Sequence, residues 1–300
     1  MTTLTILDGG MGRELKRIGA PFSQPLWSAQ ALIEATDAVQ QAHQNFIAAG
    51  AEIITANSYA CVPFHLGQER FDQQGATLAQ TAAKIARDTA DKATHTVKVA
   101  ASLPPALGSY RPDLFEENKA RVILETLYQA QAPYVDLWLA ETISSLAEVD
   151  VILDVVKGSD KPVYLSFSLR DDTEQSPALR SGEPLVDVVE RLSQQRIDGV
   201  FFNCSIPEVI APAIEAIKDE IKSLPTTPII GVFANSFSPI RAGHQANGTL
   251  QEMRAVSPAE HLEYAQLWYQ LGARVIGGCC GIGPEHIKVI SDWKQTLNNS

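Results

Sequence analysis

The sequence predicts a single (β/α)8 barrel, and three observations carry that expectation. A short β-rich apolar run, a turn and an amphipathic stretch recur as a unit, eight times in 300 residues, which suits a closed barrel. Several of the runs are apolar without clean alternation, as parallel strands covered on both faces are. No linker or composition break divides the chain, so residues 1–300 read as one domain. An open doubly wound sheet would also alternate strands and helices, but no GxGxxG follows an early strand.

In chain order the strand-like runs begin at Leu4 (LTILDGG), Glu52 (EIITANSY), Val97 (VKVAASL), Val135 (VDLWLAET), Pro162 (PVYLSFSL), Gly199 (GVFFNCS), Pro228 (PIIGVFAN) and Arg274 (RVIGGCCG). Helices are expected between them, over Thr77–Thr94, Asn118–Ala132, Ser144–Lys157, Pro207–Ser223 and Ser257–Leu271. The last opens on Ser257-Pro258-Ala259-Glu260, which offers an N-cap hydroxyl, Pro at the first helical position and Glu two residues later. Gly50, Gly158 and Gly272 follow helical runs where a left-handed residue ends a helix. Two long connections, Arg170–Pro184 and Ser236–Val256, follow the fifth and seventh strands, and such loops usually cover or build a site.

Bulk properties exclude several classes of function. A net charge of -11 opposes binding to nucleic acid or anionic membrane, since both reward clustered Lys and Arg. No apolar run approaches the ~20 residues of a membrane span, and the start shows no basic n-region or apolar h-region. A cytoplasmic protein is expected. Its four cysteines, two of them adjacent, suit reduced thiols or metal ligands better than a disulfide framework.

The active site of such a barrel lies at the carboxyl ends of the strands. Those ends carry Asp8-Gly9-Gly10, Thr55 with Asn57, Glu141, Asn203-Cys204, Asn235 and Cys279-Cys280. Adjacent side chains of a regular strand face opposite ways, but the glycines around Cys279 and Cys280 let the backbone leave strand geometry. Three thiolates with an open fourth position describe a catalytic zinc site better than a closed structural one. Cys61 has no partner in the sequence and reads as a buried free thiol. The six histidines form no metal spacing. His43, His261 and His286 fall in helical stretches and read as surface residues, while Trp138 and Phe167 read as core.

DGGMGREL, ITANSY, the FNCS segment and GGCCG together resemble the homocysteine S-methyltransferase family, in order and spacing across essentially the whole chain. The resemblance implies that Cys204, Cys279 and Cys280 bind Zn2+ and that zinc binds the homocysteine sulfur. It also implies that the backbone at Asp8, Gly9 and Gly10 lies by the amino acid's polar end, and that Glu141 holds its ammonium group. Asp8 could instead form a turn, and Thr55 and Asn57 could be substrate contacts or capping groups. Many family members carry a Pro-Asn-Ser-Gly-like segment where this chain has Ala234-Asn235-Ser236-Phe237, so donor contacts are not carried over.

The implied reaction is methyl transfer to homocysteine, forming methionine. One barrel uses up the chain, so a small donor with its own activated methyl group is expected. The resemblance points to S-methylmethionine, with S-adenosylmethionine as an alternative. A sulfonium would sit against aromatic faces; Trp27, Tyr59, Phe64 and Tyr110 are the candidates, each of which could instead be packing. Without substrate, water or Asn235 would fill the fourth zinc position. Two other functions stay open: methylation of a different small thiol or selenol, and a non-catalytic zinc- or thiol-binding barrel. The oligomeric state is not legible.

Overall fold

The computed structural model describes residues 3–241, 244 and 251–298. Eight parallel strands form one sheet: β1 (Thr5–Ile6), β2 (Ile53–Thr55), β3 (Lys98–Leu103), β4 (Leu137–Ile143), β5 (Val163–Phe167), β6 (Gly199–Asn203), β7 (Ile229–Phe233) and β8 (Ala273–Ile276). They run in the order β1-β8-β7-β6-β5-β4-β3-β2. A parallel bridge between Leu7 and Ile53 joins β1 to β2 and closes the ring. The expected (β/α)8 barrel is therefore the observed one.

Two apolar layers hold it. Inside the ring, Leu7, Ile53, Ala100, Leu137, Leu139, Tyr164, Phe201, Phe233 and Val275 pack together. Outside, residues such as Ile54, Val99, Trp138, Leu165 and Val200 meet the helices. Both faces of each strand are thus buried, which is why the runs lack polar alternation. Trp138 and Phe167 are core, as expected.

Local chemistry sets the helix starts. The Ser257 hydroxyl accepts from the Glu260 N–H at 3.2 Å while the Glu260 carboxylate accepts from the Ser257 N–H at 2.8 Å, so helix Pro258–Leu271 opens on a reciprocal cap. Helix Leu146–Val156 is capped by Ser145, and Glu148 accepts from the Ser144 N–H at 2.6 Å. The helices over Ala76–Ala90 and Glu117–Gln131 lie where periodicity puts them. The stretch 207–223 breaks into a 3-10 turn, helix Ile210–Ile217 and another 3-10 turn.

Two expectations need correction. Gly50 and Gly272 are left-handed, with φ of 102° and 121°, but Gly158 is not; the chain turns there through a Ser159 N–H to Val156 carbonyl bond. His43, His261 and His286 are buried, not on the surface. Each is on a helix yet almost fully covered, with His43 0%, His261 1% and His286 2% exposed. Burial pushes His43 down to about 4 and His261 to about 3. Cys61 is a buried free thiol, as expected.

The loop 170–184 folds back on itself through bridges Leu169–Leu179 and Ala178–Pro184. In the connection 236–256, residues 242, 243 and 245–250 lie outside the described residues.

At the amino-terminal pole, acidic side chains receive strand N–H groups. Asp136 accepts from Val99 at 2.7 Å and Asp198 from Val163 at 2.9 Å. Glu52 accepts from Ile6 at 2.9 Å and from Lys294 of the last helix at 2.5 and 2.6 Å. Glu52→Ala leaves the buried Ile6 N–H unpaired and should cost about 1–3 kcal/mol. Urea unfolding should show that loss, with activity unchanged because the site is at the other pole.

Candidate metal centre and substrate site

Two residues beyond the apolar layer, the inward positions turn polar. Thr55 follows Ile53, Ser102 follows Ala100, Glu141 follows Leu139, Ser166 follows Tyr164, Asn203 follows Phe201 and Asn235 follows Phe233. The period of two along a strand thus puts a ring of polar groups on an apolar floor at the carboxyl mouth.

Cys204, Cys279 and Cys280 meet on this rim, their sulfurs all within 4.8 Å of one another, the only such group of three ligating side chains among the described residues. β8 ends at Ile276, so Cys279 and Cys280 are free of strand geometry and their sulfurs lie 4.0 Å apart. Gly281, at φ 89°, turns the chain away directly after them. The Cys204 and Cys279 sulfurs are drawn together, with Cα atoms 5.9 Å apart, and Cys280 is a free thiol. A position that serves one shared ion brings its sulfur ligands together in this way.

The donor set fits a thiolate-loving divalent ion. Sulfurs around tetrahedral zinc at ~2.3 Å stand about 3.8 Å apart, close to the Cys279–Cys280 separation, and the Cys204 sulfur lies within 4.8 Å of both. Burial and nearby Glu141 push the Cys280 thiol up to about 12, so without a cation it stays protonated at neutral pH.

Opposite the thiols are two buried carboxyl groups. Asp8 accepts from the Thr55 N–H at 2.7 Å and the Thr55 hydroxyl at 3.2 Å. Glu141 accepts from the Ser102 hydroxyl at 2.6 Å. Burial raises Glu141 from 4.5 to about 7, and burial together with Glu141 raises Asp8 from 3.8 to about 8. Neither has a cationic partner among the described residues, so a bound cation would relieve both. Among the backbone donors beside them, Asp8 N–H goes to Ile53 and Gly10 N–H to Ile282. Gly9 N–H alone of the three has no partner among the described residues. Asn57 donates to the Ser28 carbonyl at 3.1 Å and serves the loop. The Asn235 oxygen accepts from the Phe237 N–H at 3.2 Å, while its amide nitrogen is buried without a partner among the described residues.

Strain gathers at this mouth. Thr142 and Cys204 have φ of 61° and 46°, and Tyr110 has 64°, each costing roughly 1–3 kcal/mol for a non-glycine residue. Asn203 holds Thr142 there, accepting from its N–H at 2.9 Å and donating to its hydroxyl at 3.0 Å. The register shift between Ala140 and Ile143 in β4 accompanies this turn and aims Glu141.

Three of the four aromatic candidates meet around a residue the sequence did not suggest, and Tyr110 lies in the adjoining cluster. The His65 ring contacts Trp27, Phe64 and Tyr59 at centroid distances of 5.9, 5.1 and 6.4 Å. Tyr59 bonds Ser109 at 2.7 Å. Tyr110 packs with Cys204 and Phe237, and Phe64, Cys279 and Cys280 adjoin that cluster. One face of Tyr110 is covered by Arg180, 5.0 Å from the ring centroid. Arg180 and its partner Asp171 also escaped sequence reading; only the length of their loop signalled them.

The fold and this rim define a class: a (β/α)8 barrel with a three-cysteine centre at its carboxyl mouth, facing buried carboxyl groups. The family described as homocysteine S-methyltransferase matches residues 5–293, and the chain belongs to that family. It is similar to the homocysteine S-methyltransferase YbgG of Bacillus subtilis, 29% identical over 99% of this chain and 96% of the relative. Homocysteine S-methyltransferase 1 of Zea mays is 26% identical over 95% and 93%. Among solved structures, the metallated form of the homocysteine methyltransferase MmuM from Escherichia coli superposes with a TM-score of 0.79, at 25% identity over 97% and 96%. No helix among the described residues is long and apolar enough to cross a membrane.

The raised carboxyl groups give a signed pH dependence. An acid that binds its proton more tightly when folded favours the native state below its ordinary pKa and loses that contribution as pH rises through the folded value. For Glu141 the window runs from 4.5 to about 7, and for Asp8 from 3.8 to about 8. The Tm of reduced, metal-free protein should therefore fall between pH 5 and pH 8. Glu141→Gln should flatten the fall without abolishing it, because Glu148 is also raised to about 7; an unaltered slope would contradict the assignment.

Proposed function

We propose that this protein methylates the thiol of homocysteine to methionine, with zinc held by Cys204, Cys279 and Cys280. The observation that carries the reading is the convergence of three sulfurs with two uncompensated carboxyl groups across one barrel mouth. Zinc bound there would take the substrate sulfur as its fourth ligand and lower the thiol's pKa below neutrality.

The chain's own residues orient the amino acid. Glu141, fixed by Ser102, receives the α-ammonium group, and the free Gly9 N–H beside Asp8 is offered to the α-carboxylate. Asp8, tied to Thr55, supplies further negative potential near the ammonium. Without substrate, water or the side-chain oxygen of Asn235 would complete the zinc site; that oxygen accepts from the Phe237 N–H at 3.2 Å, a bond that leaves its second lone pair available.

The donor is a sulfonium, S-methylmethionine first and S-adenosylmethionine second. The homocysteine sulfur forms the new S–C bond as the methyl's bond to the sulfonium sulfur breaks. The electron pair stays on the leaving sulfur, so a neutral thioether departs and no acid is required. Trp27, Tyr59, Phe64 and Tyr110 are the rings that would receive the cation, at ~0.5–2 kcal/mol for each favourable ring. His65 in their midst is held neutral by burial and does not repel it.

Zinc content and methionine formation test this together. The reduced protein should bind one zinc, and Ser in place of Cys204, Cys279 or Cys280 should remove most of both metal and turnover. Full zinc and full turnover in Cys204→Ser would overturn the ligand set. With zinc-loaded protein and homocysteine, both sulfonium donors should yield methionine; turnover of betaine and of neither sulfonium would overturn the donor assignment.

A further inference from the structure

We infer that Arg180 and Asp171 are positioning residues for Cys204, holding its strained peptide so that the thiol faces the other two. This rests on the proposed role of Cys204 as a metal ligand.

Cys204 follows the last residue of β6 and has φ 46°, a conformation that a side chain beyond glycine adopts only when its surroundings impose it. The surroundings here are a buried ion pair and the Ser168 hydroxyl, which donates to the Cys204 carbonyl at 3.3 Å. Arg180 is 6% and Asp171 0% exposed, and they meet at 3.0 Å. Arg180 Nη2 also donates to the Cys204 carbonyl at 3.1 Å, Nη1 to the Ile240 carbonyl at 3.2 Å and Nε to the Ser168 hydroxyl at 3.1 Å. Asp171 accepts from the Ile206 N–H at 3.0 Å and the Ile240 N–H at 2.8 Å. The pair therefore grips the chain on both sides of Ser205, at the carbonyl of Cys204 and the N–H of Ile206. Its remaining bonds tie that turn to the β5 and β7 loops, and the guanidinium lies over Tyr110 from the β3 loop.

A buried pair of this kind is a poor source of stability, because apolar side chains of similar volume often do as well. What apolar residues could not do is bind four backbone groups at fixed angles, the task a planar guanidinium fork and a two-oxygen acceptor suit. The cation also lies beside a cluster that carries negative charge when it ligates. Lysine has neither the plane nor the donor count to replace it.

The test uses reduced full-length protein and the variants Arg180→Met, Arg180→Lys and Asp171→Asn, with Glu52→Ala as a control destabilised at the opposite pole. Zinc affinity is read by competition with a chromophoric chelator, and thiolate ligation by the sulfur-to-metal charge-transfer absorbance of cobalt-loaded protein. Removing an outer partner of a ligand typically weakens metal binding roughly 10–100-fold, and that loss is expected for the Arg180 and Asp171 variants. Their cobalt absorbance should fall toward that of Cys204→Ser, while Glu52→Ala keeps wild-type affinity and spectrum despite a lower Tm. Should Arg180→Met fail to fold, the two conservative variants give the same reading. Wild-type zinc affinity and cobalt spectrum in folded Arg180 and Asp171 variants would overturn the inference, whatever their Tm. Neither readout needs turnover, so failure of wild-type protein to methylate homocysteine would sink the proposed function and leave this test standing.

Discussion

The approach of the first strand's end to the last is the contact on which the rest of the mouth depends. Leu7 N–H bonds the Ile276 carbonyl, Gly278 N–H bonds Asp8, and Gly10 N–H bonds Ile282. The two chains touch so closely that a Cβ on Gly10 would lie 2.6 Å from the Cys279 carbonyl oxygen. The glycines on either side are therefore required by backbone packing. The same contact joins β1 to β8 and sets the Asp8 backbone against the segment that carries the vicinal cysteines, so a bulky residue here would disturb fold and site together.

The mouth built on this closure is electrostatically one-sided. Asp8, Glu141 and the three sulfurs are all acidic or potentially so; Asp8, Glu141 and Cys204 are buried, and Cys279 and Cys280 partly so. Burial pushes Asp8, Glu141 and Cys280 toward their neutral forms in the ligand-free protein. Two cations would let the set ionise: a divalent ion at the sulfurs and an ammonium group at the carboxylates. An amino acid whose side chain ends in sulfur carries groups that answer to both ends. The reading of the site thus follows from charge balance as well as from family membership.

Rigidity supplies the remainder. Thr142, Cys204 and Tyr110 sit in left-handed backbone at the rim, and each is held by groups that the apolar core does not provide. Asn203 fastens Thr142 across two strands. The loop after β5 reaches over β6 and β7 and fastens Cys204. Strain of this kind survives only where surrounding bonds over-determine it, and here those bonds come from neighbouring strand ends.

Much of this was legible in the sequence. The barrel was, because strands buried on both faces must be apolar throughout and helices must show a stripe. The cysteines, Glu141 and Asp8-Gly9-Gly10 were too, because side chains at strand ends fall at one mouth whatever the details of packing. Histidines were misjudged because a helical position does not say which way a neutral ring turns, and His43, His261 and His286 turn inward. Arg180, Asp171 and His65 were invisible for a stronger reason. Their roles rest in large part on bonds to residues 24 to 69 positions away, made by loops whose course no local pattern dictates. Sequence by itself determined which chemical groups stand at the rim, since strand period and strand order fix that. Only the tertiary structure decided how those groups are held, since loop conformation is set by contacts that exist only once the barrel has closed.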